Sequence, residues 1–454
     1  MSPARLSALD AAFLSLESEH APMHVGWAAQ FDPPAGAPPP SFEQIRAHIA
    51  SRLGRAPRYR QRLAHVPLGL GDPVWIDDGA FDIAAHVVRA GHSDFERLVD
   101  EVLSAPLQHG RPLWELWIAH DLAGGRIGVV GKAHHCLVDG LAAVELMALL
   151  LDAEPAPAAD DADASINGSG DGWIARAEPS ALTLARDAVG RQVDEALQVA
   201  RLPLQFARDP GRVAGQAWQA ARAVVQAAAP IAPASRLNGA MTAMRHLATH
   251  SRPMDDLKVI KRCFGTTVND VLLTACAGAL RGFGDDGAVK AMVPVSIEAP
   301  GSEWGNRIAF LFLDLPCDEE DPVWRLRDIH VAMRDRKRGG VPEGADTVLG
   351  ALALAPRSIR RVASKVIASP QLSNLTISNI PGPQFPVYLM GCEVRQAFPV
   401  VPLTDRHGLS IGMTTIHERA CFGVYAQADL AADADAIAAA IGDEIDTLLQ
   451  RAAA

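Results

Sequence analysis

Apolar positions along the chain recur first with the period of a helix. Phe42, Ile45, Ile49 and Leu53 form one stripe, opened by Ser41 with Gln44 three residues on, a capping-box pair, and closed at Gly54. Ser93 and Glu96 repeat that start signal ahead of Phe95, Leu98, Val99, Val102 and Leu103, so the spacing predicts a second amphipathic helix. Residues 114–119 and 127–135 read as strands, the second running into two adjacent histidines before a loop and a helical run over 141–151. Residues 153–180 then turn to Ala, Asp, Pro and Gly, a composition that buries no core and reads as an exposed linker. Helical spacing returns over 181–230, broken by Pro203 and Pro210, with six arginines (Arg186, Arg191, Arg201, Arg208, Arg212, Arg222) against four acids. Beyond residue 237 the pattern gives helices at 254–263, from 268, near 323–336, over 346–369 and from 431. Strands are expected at 291–297, 307–315, 375–378 and across 409–427. This order predicts an α/β protein with mixed sheets flanked by helices, not a regular βαβ array. The expected division is an N-terminal domain over 1–153, a linker and helical connector over 154–236, and a C-terminal domain over 237–454.

Length and composition narrow the classes. A chain of 454 residues, 49% hydrophobic and 21% charged, is a multi-domain globular protein. A net charge of −11 argues against nucleic acid as a partner. The six cysteines are scattered without a C-x-x-C pair, so neither a zinc ribbon nor a disulfide framework is signalled, and a reducing compartment fits. No export signal is visible at the start, and no apolar run reaches the roughly 18 residues of a spanning helix.

The segment richest in chemistry is Lys132-Ala133-His134-His135-Cys136-Leu137-Val138-Asp139-Gly140. If the strand persists to its end, His134 and His135 point to opposite faces, so one of them faces a given pocket. A histidine at a strand end suits general-base work, because a neutral imidazole has a free ring nitrogen at pH 7. Asp139, followed by the turn-permissive Gly140, is placed to hold the loop in shape. The plain alternative is a core histidine beside a turn. A metal site is disfavoured because adjacent strand histidines diverge and no third ligand stands at a recognised spacing. Cys136 as nucleophile is disfavoured because it follows His135 and points away from it. Gly408-Leu409-Ser410-Ile411-Gly412 has the spacing of a nucleophile elbow, but strand-like residues continue after it where a helix is needed, so Ser410 reads as a strand serine. Asn269 and Asp270 open a helix, where amides and acids satisfy free N–H groups. Ser378-Asn379-Ile380-Pro381-Gly382-Pro383 reads as a strand ending in a turn.

Taken together these segments resemble the bacterial wax ester synthase/diacylglycerol acyltransferase family, within the chloramphenicol-acetyltransferase-like, CoA-dependent acyltransferases. The resemblance rests on His134-His135 with Asp139-Gly140, and on Leu9-Asp10-Ala11-Ala12-Phe13-Leu14 and Pro22-Met23-His24-Val25-Gly26. It continues in Pro112-Leu113-Trp114-Glu115, Asn269-Asp270-Val271 and the segment from Ser378 to Pro383, all in family order. It implies two acyltransferase-like domains packed face to face, with the histidine motif in a channel at their interface. It further implies His135 as general base, His134 in support, Asp139 and Gly140 holding the loop, and Asn269 with Asp270 as a second polar motif. Pro112, Leu113, Trp114, Ser378 and Asn379 become substrate-channel candidates. The implied reaction moves a fatty acyl group from acyl-CoA, a substrate, to diacylglycerol or a long-chain alcohol, with no cofactor and no metal. The expected partners are these lipids and a peripheral membrane or lipid-droplet surface, and the expected location is cytoplasmic, at the inner membrane face or on droplets. Two other readings stay open at this point: a condensation-like enzyme using another acceptor or a carrier-bound thioester, and a noncatalytic lipid-surface protein.

Overall fold

Two six-stranded sheets organise the computed structural model of the chain, which describes residues 4–34, 36–138, 150–155, 173–193, 231–284, 288–297, 307–338 and 357–453. The first sheet runs, from edge to edge, Tyr388–Leu389, Cys392–Val400, His24–Asp32, Arg126–His134, Trp114–Leu122 and Val87–Arg89. Only the last pairing is parallel. The second sheet runs Arg307–Pro316, Ala288–Ile297, Leu375–Ile380, Leu409–Ile416, Arg419–Gln427 and Arg245–Pro253. Here Leu375–Ile380 is parallel to both its neighbours and the remaining pairs are antiparallel. Both sheets are therefore mixed and carry helices, as the element order predicted. Cys392–Val400 pairs with His24–Asp32, so a stretch from late in the chain completes the sheet built by the first part.

Local signals account for the helices. Ser41 and Gln44 form the capping box of Phe42–Arg52, whose Phe42, Ile45 and Ile49 are buried. The helix expected to start at Ser93 is Phe95–Ser104, and its N-cap is Asp94, whose carboxylate accepts from the Arg97 N–H. A carboxylate one residue closer to the first turn outcompetes the serine for that donor. Ala8–Leu16, not foreseen from spacing, is started by a reciprocal Ser7–Asp10 capping box. Val268–Ala279 opens on a Thr267–Asp270 box and is buried from Asp270 through Ala279, a helix apolar on every side at the centre of the second core.

Among the strands that escaped the sequence pattern are His24–Asp32, Arg245–Pro253 and Cys392–Val400. The first includes Gly26, where a Cβ would stand 2.5 Å from the Gly131 carbonyl oxygen of the next strand. That close approach requires glycine and interrupts the apolar alternation. Ser410 lies within Leu409–Ile416 and donates to the Val401 carbonyl at 2.8 Å, a buried strand serine. Asp139, Gly140, most of the predicted helical run 141–151, the linker core 156–172, residues 194–230 and the first part of 346–369 lie outside the described residues.

Candidate active site

The histidine pair ends the Arg126–His134 strand, held between His24–Asp32 and Trp114–Leu122. His134 stands opposite His24 in the register, and its N–H donates to the Leu113 carbonyl at 3.0 Å. The His135 N–H donates to the Met23 carbonyl at 2.9 Å, and the Leu137 N–H returns to the His134 carbonyl at 2.9 Å, which closes the turn. Met23 is fully buried with φ of 50°, a left-handed backbone that costs a side-chain-bearing residue about 1–2 kcal/mol. That strained residue aims its carbonyl at His135.

The two imidazoles differ in what their nitrogens do. His134 is buried, and its Nδ1 accepts the Cys136 N–H at 3.0 Å. A neutral ring accepting at Nδ1 carries its proton on Nε2. That Nε2 lies 3.8 Å from the Glu17 carboxylate. Burial lowers the His134 pKa to about 4 against the opposing pull of Glu17. His135 is half-buried, its ring stacked on Phe13 with centroids 3.6 Å apart and planes 18° apart. Its Nδ1 is buried without a hydrogen-bond partner of good geometry. Burial lowers its pKa to about 4, and a contact with its own backbone pulls weakly the other way. Both rings are neutral at pH 7, but in His134 the lone pair is already engaged. Burial pushes the Cys136 thiol far up, which suits a structural thiol and not a nucleophile.

Glu17 and His109 extend the site, and sequence spacing pointed to neither. They are 92 positions apart and meet at 2.9 Å, and the contact raises the His109 pKa. Both line a cleft of about 240 Å³ with Ala11, Leu14 and Arg361. A second cleft, of about 410 Å³, shares His65 and His109 with it and reaches Leu184. A helix spanning 181–193 thus borders the second cleft, and neither His134 nor His135 lines either cleft.

The other predicted residues fall into two groups. Pro112, Leu113 and Trp114 are buried beside the pair; the Trp114 indole donates to the Tyr59 carbonyl at 2.8 Å, and Leu113 supplies the acceptor for His134. Glu115, next in that segment, lies 3.4 Å from the ammonium of Lys132, which is fully buried and also donates to the Val102 and Ala105 carbonyls. Asn269, Asp270, Ser378 and Asn379 belong to the second half. Asp270 caps its own helix and accepts from His330 Nδ1 at 2.8 Å, while Asn269 is half-buried in the same first turn. Among the described residues no hydrogen bond joins Asn269 to either histidine. Ser378 and Asn379 pair with Gly412 and Met413 in the second sheet. The turn after them brings Gly382 so close to Thr415 that a Cβ would stand 2.0 Å from its carbonyl oxygen. Asp139 and Gly140 lie outside the described residues.

Comparison with known proteins agrees along the chain. Residues 6–272 match the family model of the wax ester synthase/diacylglycerol acyltransferase catalytic domain, and residues 304–449 match that of the WS/DGAT C-terminal domain. A probable diacylglycerol O-acyltransferase of Mycobacterium tuberculosis is 30% identical over 98% of this chain and 95% of its own. The solved wax ester synthase/diacylglycerol acyltransferase from Marinobacter aquaeolei VT8 is 24% identical, with all of both chains covered and a TM-score of 0.69. The first condensation domain of the calcium-dependent antibiotic synthetase is 17% identical, with 100% of this chain and 96% of that chain covered and a TM-score of 0.57. These two structures speak to the fold.

Proposed function

Because the chain belongs to the wax ester synthase/diacylglycerol acyltransferase family, we propose that it transfers a fatty acyl group from acyl-CoA to diacylglycerol or a long-chain alcohol, with His135 as general base. The observation that supports this base is the difference between the two rings: His134 spends its lone pair on the Cys136 N–H, and His135 does not. In the reaction, His135 Nε2 takes the hydroxyl proton as the acceptor oxygen attacks the thioester carbonyl. The tetrahedral intermediate then expels the CoA thiolate, which takes that proton back, giving ester and free CoA without an acyl-enzyme. Such base assistance is worth about 10²- to 10⁴-fold, and the remainder of the acceleration comes from positioning and oxyanion stabilisation. Asn269 is proposed to polarise the thioester oxygen and Asp139 to hold the histidine loop. Pro112, Leu113, Trp114, Ser378 and Asn379 are proposed to line the substrate channel. The test is His135→Ala assayed with palmitoyl-CoA and either hexadecanol or a diacylglycerol. Ester formation should fall by at least about 10²-fold with an unchanged melting profile, and His134→Ala should lose less. Retention of most activity by folded His135→Ala would overturn the assignment.

The acceptors are insoluble in water, and no helix among the described residues is long and apolar enough to cross a membrane. We therefore propose that the enzyme meets them at a lipid surface. In the helix over 181–193, Leu184 and Ala188 are buried, while Leu182, Val189 and Val193 face solvent beside the exposed Arg186. An apolar outer face with a cationic neighbour is the composition of an interfacial helix.

A further inference from the structure

We infer that Phe13 is the positioning residue of the base: its ring lies flat against the His135 imidazole, fixes the plane in which Nε2 is presented, and keeps water off that face. The inference rests on the reading of His135 as base. Phe13 sits in Ala8–Leu16, whose Ser7–Asp10 capping box fixes the helix start and whose C-cap residue is Glu17, beside His134 and His109. One short helix therefore approaches both histidines. None of its residues is fully buried; Leu14 packs against the first core, and Phe13 is not among the residues that do. The stack itself, with centroids 3.6 Å apart and planes within 18°, is closer than the usual 4.5–7 Å between paired rings. The His135 backbone is fixed by Met23, but its Nδ1 has no partner of good geometry, so a hydrogen bond does not set the ring angle. The phenyl face is the contact that does. Among charged and titratable groups, His134 on its own strand interacts with the His135 ring, while Asp10, Glu17 and Arg58 act on neighbouring Cys136. Burial is what disfavours the imidazolium, and Phe13 supplies part of that cover.

Phe13→Ala should lower kcat by about 10- to 100-fold while the KM for acyl-CoA stays within about threefold, because a tilted base misses the attacking hydroxyl without changing thioester binding. The acid limb of the kcat profile should move to higher pH as water reaches the ring. Carbethoxylation of His135 by diethyl pyrocarbonate, followed by peptide mass spectrometry, should accelerate several-fold, with buried His407 unchanged as the folding control. Phe13→Tyr, which keeps the flat ring, should restore all three readouts. If Phe13→Ala does not fold, Phe13→Leu fills the space without a flat face and is read in the same way. A folded Ala or Leu variant with kcat within threefold of wild type and an unmoved acid limb would overturn the inference. In that event an inactive His135→Ala leaves the base assignment standing, whereas an active one removes both.

Discussion

Replacing His246 by glutamine tests how the two halves are held together. His246 is on the Arg245–Pro253 edge strand of the second sheet, and its ring bridges two other elements. Nδ1 is 2.8 Å from Asp100, on the Phe95–Ser104 helix of the first half, and Nε2 is 3.0 Å from Asp435, on the closing helix. Asp100 also accepts the Leu247 N–H, and Ser104 accepts that of Arg245. A ring between two carboxylates donates from both nitrogens and is therefore an imidazolium. The hydrogen bond to Asp100 is the largest cause raising its pKa from 6.5 to about 9. That rise sets a ceiling of about 3 kcal/mol. Asp435 is 65% exposed and the ring 22%, so solvent screening reduces the expected contribution to about 1–2 kcal/mol. The folded pKa lies above the unfolded one, so the contribution is complete below pH 6.5 and is lost as pH rises through about 9. His246→Gln should lower the Tm by about 2–4 °C at pH 6, and the gap should close by pH 9.5. Calorimetry of both proteins at low salt from pH 6 to 9.5 measures this. A Tm difference independent of pH would show that His246 acts through packing and not as a charged bridge.

Two further perturbations probe the scaffold and the surface. Glu115→Gln removes the carboxylate nearest the fully buried Lys132 and leaves its ammonium with neutral carbonyls; the expected loss is about 3 kcal/mol in urea unfolding, and a loss below about 0.5 would show that Val102 and Ala105 alone satisfy the charge. Leu182→Ser combined with Val189→Ser should halve flotation with anionic vesicles at low salt, whereas undiminished binding would remove the helix over 181–193 from the lipid contact.

What could be read from the sequence was what is decided locally. A capping box and a 3.6-residue stripe located Phe42–Arg52, because cap donors and acceptors lie three positions apart, and the first-turn amide and acid of Asn269 and Asp270 marked the Val268 helix start. Cys392–Val400 was invisible because its burial comes from pairing with His24–Asp32, which no neighbouring residue announces. Arg245–Pro253 is rich in polar groups because its side chains meet the Phe95–Ser104 helix and the closing helix through hydrogen bonds, so it lacks the apolar alternation that marks a strand. In the site, adjacency displayed His134 and His135, but their different contacts depend on Cys136, Phe13 and Glu17 in three dimensions. The Glu17–His109 contact joins residues with no periodic relation.

The segments that carry the family resemblance divide the same way. Pro22 to Gly26 supplies the strained Met23 carbonyl and the glycine that admits the histidine strand. Pro112 to Glu115 supplies the Leu113 carbonyl, the buried indole and the counter-charge for Lys132. Ser378 to Pro383 contains Gly382, which the Thr415 carbonyl leaves no room to replace. None of these needs to touch substrate to be required. Each constrains a backbone that would otherwise be free to move the histidine turn or the strands facing it, and a tilt or shift on the order of 1 Å at a base is enough to cost about 10²-fold in rate. In the proposed mechanism a motif set spread over most of the chain serves a proton transfer confined to one nitrogen, and substitutions in the scaffold segments should lower activity and stability together, whereas at His135 the two should separate.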